Sequence, residues 1–261
     1  MTDNRALVTG AAKRIGRAMA WYLAGRGYDV AVHFHGSREA ADSLVQEIRS
    51  IGRSAVAVQA DLTLESDMQR LLPEASAALG GAFNLLVNNA SIFEMDRIGA
   101  STRESWDRHL ESNLRAPVVL TEHFAAQAPP AIYDHRQEPL SQSLVVNLLD
   151  QRVRKLTPAF MSYTVAKMGL WAFTQTAAQA LAPRIRVNAI GPGPTLKGAE
   201  QDEAHFVAQR AATVLQRGSN PEDITAALGY FLDAPGVTGQ LLCVDGGQHL
   251  AWKTADILDV S

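Results

Sequence analysis

The stretch "ALVTGAAKRIGRAMA", residues 6–20, decides the fold. An apolar run ends at Gly10, and Gly16 follows where a helical pattern begins. Glycine lets the backbone approach a phosphate closely, and the amino end of a helix offers unpaired N–H groups and positive potential. The stretch therefore predicts a phosphate-binding turn between a strand and a helix. The alternative is an ordinary tight turn, which the position after the first strand of an alternating chain disfavours.

The rest of the chain repeats this alternation of strand and helix. Short runs rich in Val, Leu and Ile begin near residues 6, 29, 54, 84, 143, 185 and 240, with helical spacing between them. Strands without polar alternation, interleaved with helices, indicate a parallel sheet covered on both faces. No linker divides the 261 residues. We therefore predict one α/β domain over residues 1–261, a Rossmann-like doubly wound parallel sheet of about seven strands with helices on both faces.

Composition excludes several classes of function. A net charge of −3 gives no basic surface for nucleic acid or anionic lipid, and no apolar run is long enough to span a membrane. The N-terminus lacks a signal-peptide pattern, because a strand begins almost at once. The single cysteine, Cys243, cannot form an internal disulfide and fits a reducing compartment. We expect a cytoplasmic protein with a small-molecule substrate, no metal site, no nucleic acid partner and no membrane partner.

Ligands of a doubly wound sheet bind beyond the carboxyl ends of its strands, so the residues after each apolar run are the candidates for a site. After the first run, Lys13 and Arg14 add cationic side chains beside the predicted phosphates. Arg14 stands where the usual dinucleotide pattern has a third glycine. The predicted cofactor contacts of this turn are Gly10, Lys13, Arg14, Ile15 and Gly16.

The second run ends in "HFHGSREAA", residues 33–41, and lacks the acid that usually binds the ribose hydroxyls of NAD. Ser37 can donate to a 2′-phosphate and Arg38 can pair with it, which predicts NADPH/NADP⁺ as the cofactor. His35 belongs to the same predicted site. The alternative for Ser37 is that it only begins the next helix, with Arg38 on the solvated face.

The third and fourth runs complete the predicted cofactor cleft. Asp61 follows the third run and either borders an adenine or caps a turn. Phe93 follows the fourth run, where a flat ring could stack on it, and plain packing is its alternative. The remaining predicted cofactor contacts of this region are Leu62, Asn89, Ala90 and Ser91.

A possible proton-transfer group lies further along the chain. Tyr163 and Lys167 are four residues apart and therefore share one face of a helix. A nearby ammonium lowers the pKa of a phenol, which makes Tyr163 usable as an acid or base. Asp150 ends a buried run thirteen residues before Tyr163, and it is either a proton-handling group or only a cap. Asn113 inside a helical segment suggests a local bulge or a bound water, against a merely solvated side chain.

These residues carry a family resemblance over nearly the whole chain. "TGAAKRIG", "NNA", Asn113, "YTVAK", "NAIGPGP" and "VDGG" resemble the classical short-chain dehydrogenase/reductases. The resemblance implies that Asn113, Tyr163 and Lys167 are catalytic and that Tyr163 donates a proton while nicotinamide delivers hydride. It also implies that Lys167 holds the nicotinamide ribose and that Pro192 and Gly193 border the nicotinamide.

One departure narrows the resemblance. Most of the family has Ser where this chain has Asp150, and this Asp, together with Arg14, "HFHGS" and the Phe after "NNAS", is similar to the pteridine reductase branch. That branch implies NADPH, proton transfer to a pterin nitrogen by Asp150 and Tyr163, and stacking of the pterin on Phe93. Gly36 stands where the branch tends to have Arg. Reduction of another carbonyl or imine, and an NADP(H)-binding regulator without turnover, remain the alternatives.

The family resemblance also implies assembly. Members are often tetramers built through the helices that hold Asn113 and Tyr163, so we expect a homotetramer. The tail has Leu250, Trp252, Ile257 and Leu258 to bury, and we expect it to pack near a neighbour's site.

Overall fold

The fold is given by a computed structural model, which describes residues 4–198 and 201–252. Within these residues, seven parallel strands form one sheet in the order β3-β2-β1-β4-β7-β8-β9. The prediction of a seven-stranded parallel sheet is confirmed. The strands are β1 (Arg5–Val8), β2 (Asp29–Phe34), β3 (Ala55–Gln59), β4 (Leu85–Asn88), β7 (Ser143–Leu148), β8 (Ile185–Pro192) and β9 (Leu241–Val244).

Helices cover both faces of the sheet, because successive strand residues point to opposite sides. In β1, Ala6 and Val8 pack into one apolar cluster and Leu7 into the other. The first cluster includes residues of α1 (Arg14–Gly25), α2 (Arg38–Ser50) and α8 (Pro221–Asp233). The second includes residues of α3 (Glu65–Leu79), α5 (Ala116–Gln127) and α6 (Met161–Leu181). The remaining helices are α4 (Arg103–Leu110) and α7 (Glu203–Ala211).

The strand order explains where a site can form. The chain runs outward from β1 to β2 and β3, then returns to place β4 on the other side of β1. A crevice opens at this reversal, beyond the carboxyl ends of the strands. The ends of β1, β4 and β7 lie side by side there, which brings distant parts of the sequence together.

Two local features depart from the regular alternation. A π-helical turn, Glu111–Arg115, joins α4 to α5 and contains Asn113, so the predicted bulge is confirmed. A short antiparallel pair, β5 (Ile132–Tyr133) and β6 (Pro139–Leu140), was not predicted from the sequence. Its two-residue strands are too short to give a pattern of alternation. Within residues 4–198 and 201–252, no helix has the length and apolar character needed to cross a membrane.

Candidate active site

A cavity of about 580 Å³ opens at the carboxyl ends of the strands. Most of the predicted site residues line it. They are Gly10, Lys13, Arg14, Ile15, Gly16, His35, Asp61, Leu62, Asn89, Ala90, Ser91, Phe93, Asp150, Tyr163, Lys167, Pro192 and Gly193. Ser37, Arg38 and Asn113 are not among the lining residues.

The turn after β1 is closely packed and has an unusual backbone. Gly10 has φ +62°, and a Cβ on Gly16 would lie 2.3 Å from the carbonyl oxygen of Gly10. Arg14 has φ 56°, the left-handed region that favours glycine, and this accounts for the glycine in the usual pattern. The Asn89 side chain donates to the carbonyls of Thr9 and Gly10 at 2.8 and 3.2 Å. The absence of side chains at Gly10 and Gly16 therefore allows the turn to pack closely against the start of α1 and against Asn89 and Ala90.

Arg14 has a second role in this structure. Its guanidinium donates to the carbonyl oxygens of Lys197 and Leu196, at 2.9 and 3.1 Å. The side chain thus ties the phosphate turn to the segment that follows β8.

His33 is a site residue that the sequence prediction missed. The backbone N–H of Gly10 donates to its Nδ1 at 3.0 Å, so Nε2 carries the proton and donates to the Ala60 carbonyl at 3.1 Å. Burial lowers the pKa of His33 to about 4, which keeps the ring neutral near pH 7. A histidine inside the apolar run "DVAVHF" was the available signal.

The end of β2 differs from the predicted 2′-phosphate site. Arg38 donates to the Gln59 side chain at 3.0 Å and its guanidinium lies 5.0 Å from the Phe34 ring centroid. Ser37 precedes α2 without a side-chain capping bond. His35 lines the cavity, with Nε2 3.5 Å from the Asp61 carboxylate, whose other oxygen accepts from the backbone N–H of Thr63 at 2.9 Å. Asp61 is therefore both a turn cap and a cavity residue.

Asp150 has the contacts expected of a turn cap and also those expected of a proton-handling group. Its Oδ1 accepts the backbone N–H of Arg152 at 2.8 Å and caps the 3₁₀ turn Gln151–Val153. Its Oδ2 accepts the Tyr163 hydroxyl at 3.1 Å. One carboxylate thus begins a turn and meets the tyrosine in the cavity.

The environment of Tyr163 and Lys167 bears on the prediction that Lys167 lowers the pKa of Tyr163. The Lys167 ammonium donates to the Leu148 carbonyl at 2.7 Å, and burial lowers its pKa to about 8. Burial and the Asp150 carboxylate raise the pKa of Tyr163 well above its usual value. The expectation that Lys167 lowers the pKa of Tyr163 is wrong, because burial and the nearer carboxylate dominate. Tyr163 is protonated at neutral pH and suits the role of proton donor.

The Asn113 side chain forms hydrogen bonds with the backbone beside the cavity. Its side chain accepts from the N–H of Ile92 and donates to the carbonyl of the same residue, each at 2.8 Å. The side chain is fully buried, so the interpretation as a solvated asparagine is wrong. The π-helical turn directs this amide at the segment that follows β4.

Phe93 belongs to an aromatic group at the cavity wall. Its ring stacks on Phe160 with centroids 4.2 Å apart and meets Tyr163 edge-on at 4.8 Å. Phe93 is 51% exposed, so it is not a core residue. An aromatic surface therefore lies beside the Tyr163 ring.

A buried polar network holds the Phe93 segment in place. The backbone N–H of Glu94 donates to His109 Nε2 at 3.2 Å, so Nδ1 carries the proton and donates to the Ser162 hydroxyl at 2.7 Å. The Ser162 hydroxyl in turn donates to the Asp96 carboxylate. Because Ser162 precedes Tyr163, the network fixes the Phe93 segment against the start of α6.

Comparisons with known proteins agree with this geometry. The family model described as enoyl-(acyl carrier protein) reductase matches residues 10–249. The chain belongs to the short-chain dehydrogenase/reductase family. The predicted family membership is confirmed.

Solved and curated relatives extend over nearly the full chain. FolM alternative dihydrofolate reductase 1 from Brucella suis, in complex with NADP, is 44% identical over 97% of this chain and 98% of that chain, with a TM-score of 0.89. The same enzyme from Brucella canis, complexed with NADP, is 43% identical over 98% of each chain, with a TM-score of 0.88. The 3-oxoacyl-[acyl-carrier-protein] reductase FabG of Staphylococcus aureus is 29% identical over 94% of this chain and 98% of that protein.

Proposed function

We propose that this protein is an NADPH-dependent reductase of pterin-type substrates. The observation that carries the proposal is the hydrogen bond between Tyr163 and Asp150 beside the exposed ring of Phe93. A carboxyl group in contact with the proton donor suits a nitrogen heterocycle, and an aromatic wall suits a flat ring. The similarity to two alternative dihydrofolate reductases supports the same substrate class.

The residues of the first turn fit the cofactor. Backbone at Gly10 and Gly16 and the amino end of α1 accept a pyrophosphate, with Lys13 and Arg14 supplying positive charge. No acid follows β2 to favour NAD, and His35 is a cavity residue that could meet a 2′-phosphate together with Ser37 or Arg38. The NADP in the two Brucella structures supports NADPH as the cofactor here. We propose that residues 1–261 form a single NADP-binding domain.

The proposed chemistry divides between cofactor and chain. Bound NADPH supplies the hydride to the substrate ring. Tyr163, protonated at neutral pH, donates a proton to a ring nitrogen, and Asp150 returns a proton to the phenol through their shared hydrogen bond. Burial raises the pKa of Asp150, which favours its carrying that proton. Lys167 sits below the phenol and holds the ribose, while Asn113 fixes the backbone at Ile92.

The test is a substrate panel. NADPH oxidation by the purified protein is measured with dihydropterins, folates, ketones and quinones. Turnover of the pterins and folates above the ketones and quinones supports the proposal. Turnover of ketones alone supports the second candidate, a carbonyl reductase, which the Tyr163–Lys167 pair and the similarity to FabG favour. NADPH binding without turnover of any member supports a regulator.

Assembly and location are further parts of the proposal. α6 exposes Val165 and Met168, and Tyr230 of α8 and Leu242 of β9 are exposed at another surface. Two separate apolar surfaces support a homotetramer with two kinds of contact. Light scattering of the purified protein measures its mass directly, and the mass of a monomer would reject the proposed tetramer.

The tail residues Leu250 and Trp252 are more than half exposed, whereas Ile257 and Leu258 lie outside the described residues. A single free cysteine supports a cytoplasmic location.

A further inference from the structure

Arg152 occupies the substrate end of the cavity. It lies two residues after Asp150 and lines the cavity wall. Its guanidinium carbon is 4.8 Å from the ring centroid of Phe160 and 5.9 Å from that of Phe93. Its Nη1 donates to the Thr157 hydroxyl at 2.5 Å. The cation is therefore held beside Phe160 and Phe93, and Phe93 in turn contacts the Tyr163 ring.

Arg152 forms no direct ion pair with an acid of the described chain. Burial raises the pKa of Asp150 and the nearby Arg152 charge partly offsets that rise, but across residues 4–198 and 201–252 the guanidinium makes one hydrogen bond, to the uncharged Thr157 hydroxyl. A guanidinium has five N–H donors, so it retains capacity for an anion. Because Arg152 is half buried, an ion pair with a bound anion would be more stabilising than it would be on an open surface.

The other cations of the cavity are committed elsewhere. Lys13 and Arg14 belong to the phosphate turn, and Arg14 is bonded to two backbone carbonyls. Lys167 is buried against the Leu148 carbonyl. A substrate anion near Phe93 therefore meets Arg152 first.

We propose that Arg152 is a specificity-determining residue that selects pterins carrying a carboxylate on their side chain. The preferred substrate class is then the folate type, whose tail ends in glutamate carboxylates, over pterins with a neutral tail. This inference rests on the proposed pterin reduction. A ring stacked on Phe93 carries its substituent past a guanidinium that can bind a carboxylate through two parallel N–H donors.

The experiment compares two substrates in three proteins. The substrates are dihydrofolate, with an anionic tail, and dihydrobiopterin, with a neutral one. The proteins are the wild type, Arg152→Gln, and the matched control Arg154→Gln. Arg154 makes the same change of net charge two residues away, packs at 5.7 Å from the Trp171 ring and does not line the cavity. The measured quantity is the ratio of kcat/KM for dihydrofolate to that for dihydrobiopterin.

Arg152→Gln should lower this ratio about tenfold, mainly through KM for dihydrofolate, because a hydrogen bond to a charged group is lost. Arg154→Gln should leave the ratio near the wild-type value. Added salt should lower the wild-type ratio and leave that of Arg152→Gln nearly constant.

Two other outcomes would overturn the inference about Arg152, and a third would overturn the proposed function. Equal losses with both substrates in Arg152→Gln overturn the inference, because Arg152 would then act through Asp150 or the aromatic pair. Wild-type kcat/KM with both substrates in Arg152→Gln overturns it as well. If the wild type reduces neither pterin, the proposed function fails and the inference fails with it.

Discussion

Tyr163 and Asp150 share a hydrogen bond of 3.1 Å at the bottom of the cavity, and the same carboxylate caps the following 3₁₀ turn through Arg152. Tyr163 is buried and Asp150 is partly buried, and loss of solvent raises the pKa of each. The pair therefore retains protons at pH values where an exposed carboxyl has lost its own. Such a pair is arranged to donate protons rather than to accept them.

Asp150→Asn should reduce pterin turnover by about 10²–10⁴, the usual contribution of a positioned acid or base. The amide keeps the shape of the carboxyl group but cannot relay a proton. Steady-state rates with dihydropterin and NADPH measure the effect. Tyr163→Phe should abolish turnover of every substrate, because it removes the common donor.

The thermal stability of Asp150→Asn provides the control for its activity. A raised folded pKa means that ionisation of Asp150 costs stability as pH rises above its unfolded value. Asp150→Asn should therefore keep or increase the melting temperature at pH 7, and the difference should shrink as the pH falls to about 4, where the folded wild type keeps this carboxyl protonated. Wild-type turnover by this variant would leave Asp150 as a cap only. Asp150→Ser tests the commoner family arrangement and should favour simple carbonyl substrates.

Phe93→Ala should raise KM for a pterin while KM for NADPH stays nearly unchanged. The expected loss is about 0.5–1.5 kcal/mol beyond the lost contact area, since stacked rings contribute that much. Phe93 is half exposed, so the melting temperature should change little. A large drop in melting temperature with an unchanged pterin KM would show that Phe93 mainly supports Phe160.

Much of the fold followed from local patterns. Each predicted run became a strand of the parallel sheet, because buried parallel strands are nearly continuous apolar segments. The bulge at Asn113 was also predictable, since a poor helix former lies within a helical segment. The β5–β6 pair was not predictable, because two-residue strands carry no period.

The site was less predictable than the fold, because side-chain directions depend on three-dimensional contacts. The glycine turn and the Asp150–Tyr163 spacing identified the cavity, and the structure brings these residues together. Arg38 instead donates to Gln59 at the end of the neighbouring strand β3 and packs over the ring of Phe34, and only the folded sheet brings Gln59 close to it. The pKa of Tyr163 depends on burial and on Asp150, and spacing to Lys167 alone gave the wrong direction.

NADPH should be preferred over NADH, because no acid stands at the end of β2. One charge-assisted contact to the 2′-phosphate contributes about 1.5–3 kcal/mol, or about ten- to a hundredfold in kcat/KM. Arg38→Ala should narrow the preference if Arg38 leaves Gln59 to bind the phosphate. An unchanged preference in Arg38→Ala assigns the contact to His35, Lys13 or Arg14. Equal kcat/KM with both cofactors would reject the prediction.

His33 should make the stability of the protein sensitive to acid. Its pKa is lowered by burial to about 4, whereas an unfolded histidine titrates near 6.5. The unfolded state therefore binds the proton first, so stability present above pH 6.5 is lost as the pH falls toward 4. The loss from this one group is at most about 3 kcal/mol. Urea denaturation at pH 7 and at pH 4.5 measures it, and His33→Gln should show a smaller loss between the two. An equal loss in the variant would mean that other groups, and not His33, govern the acid sensitivity.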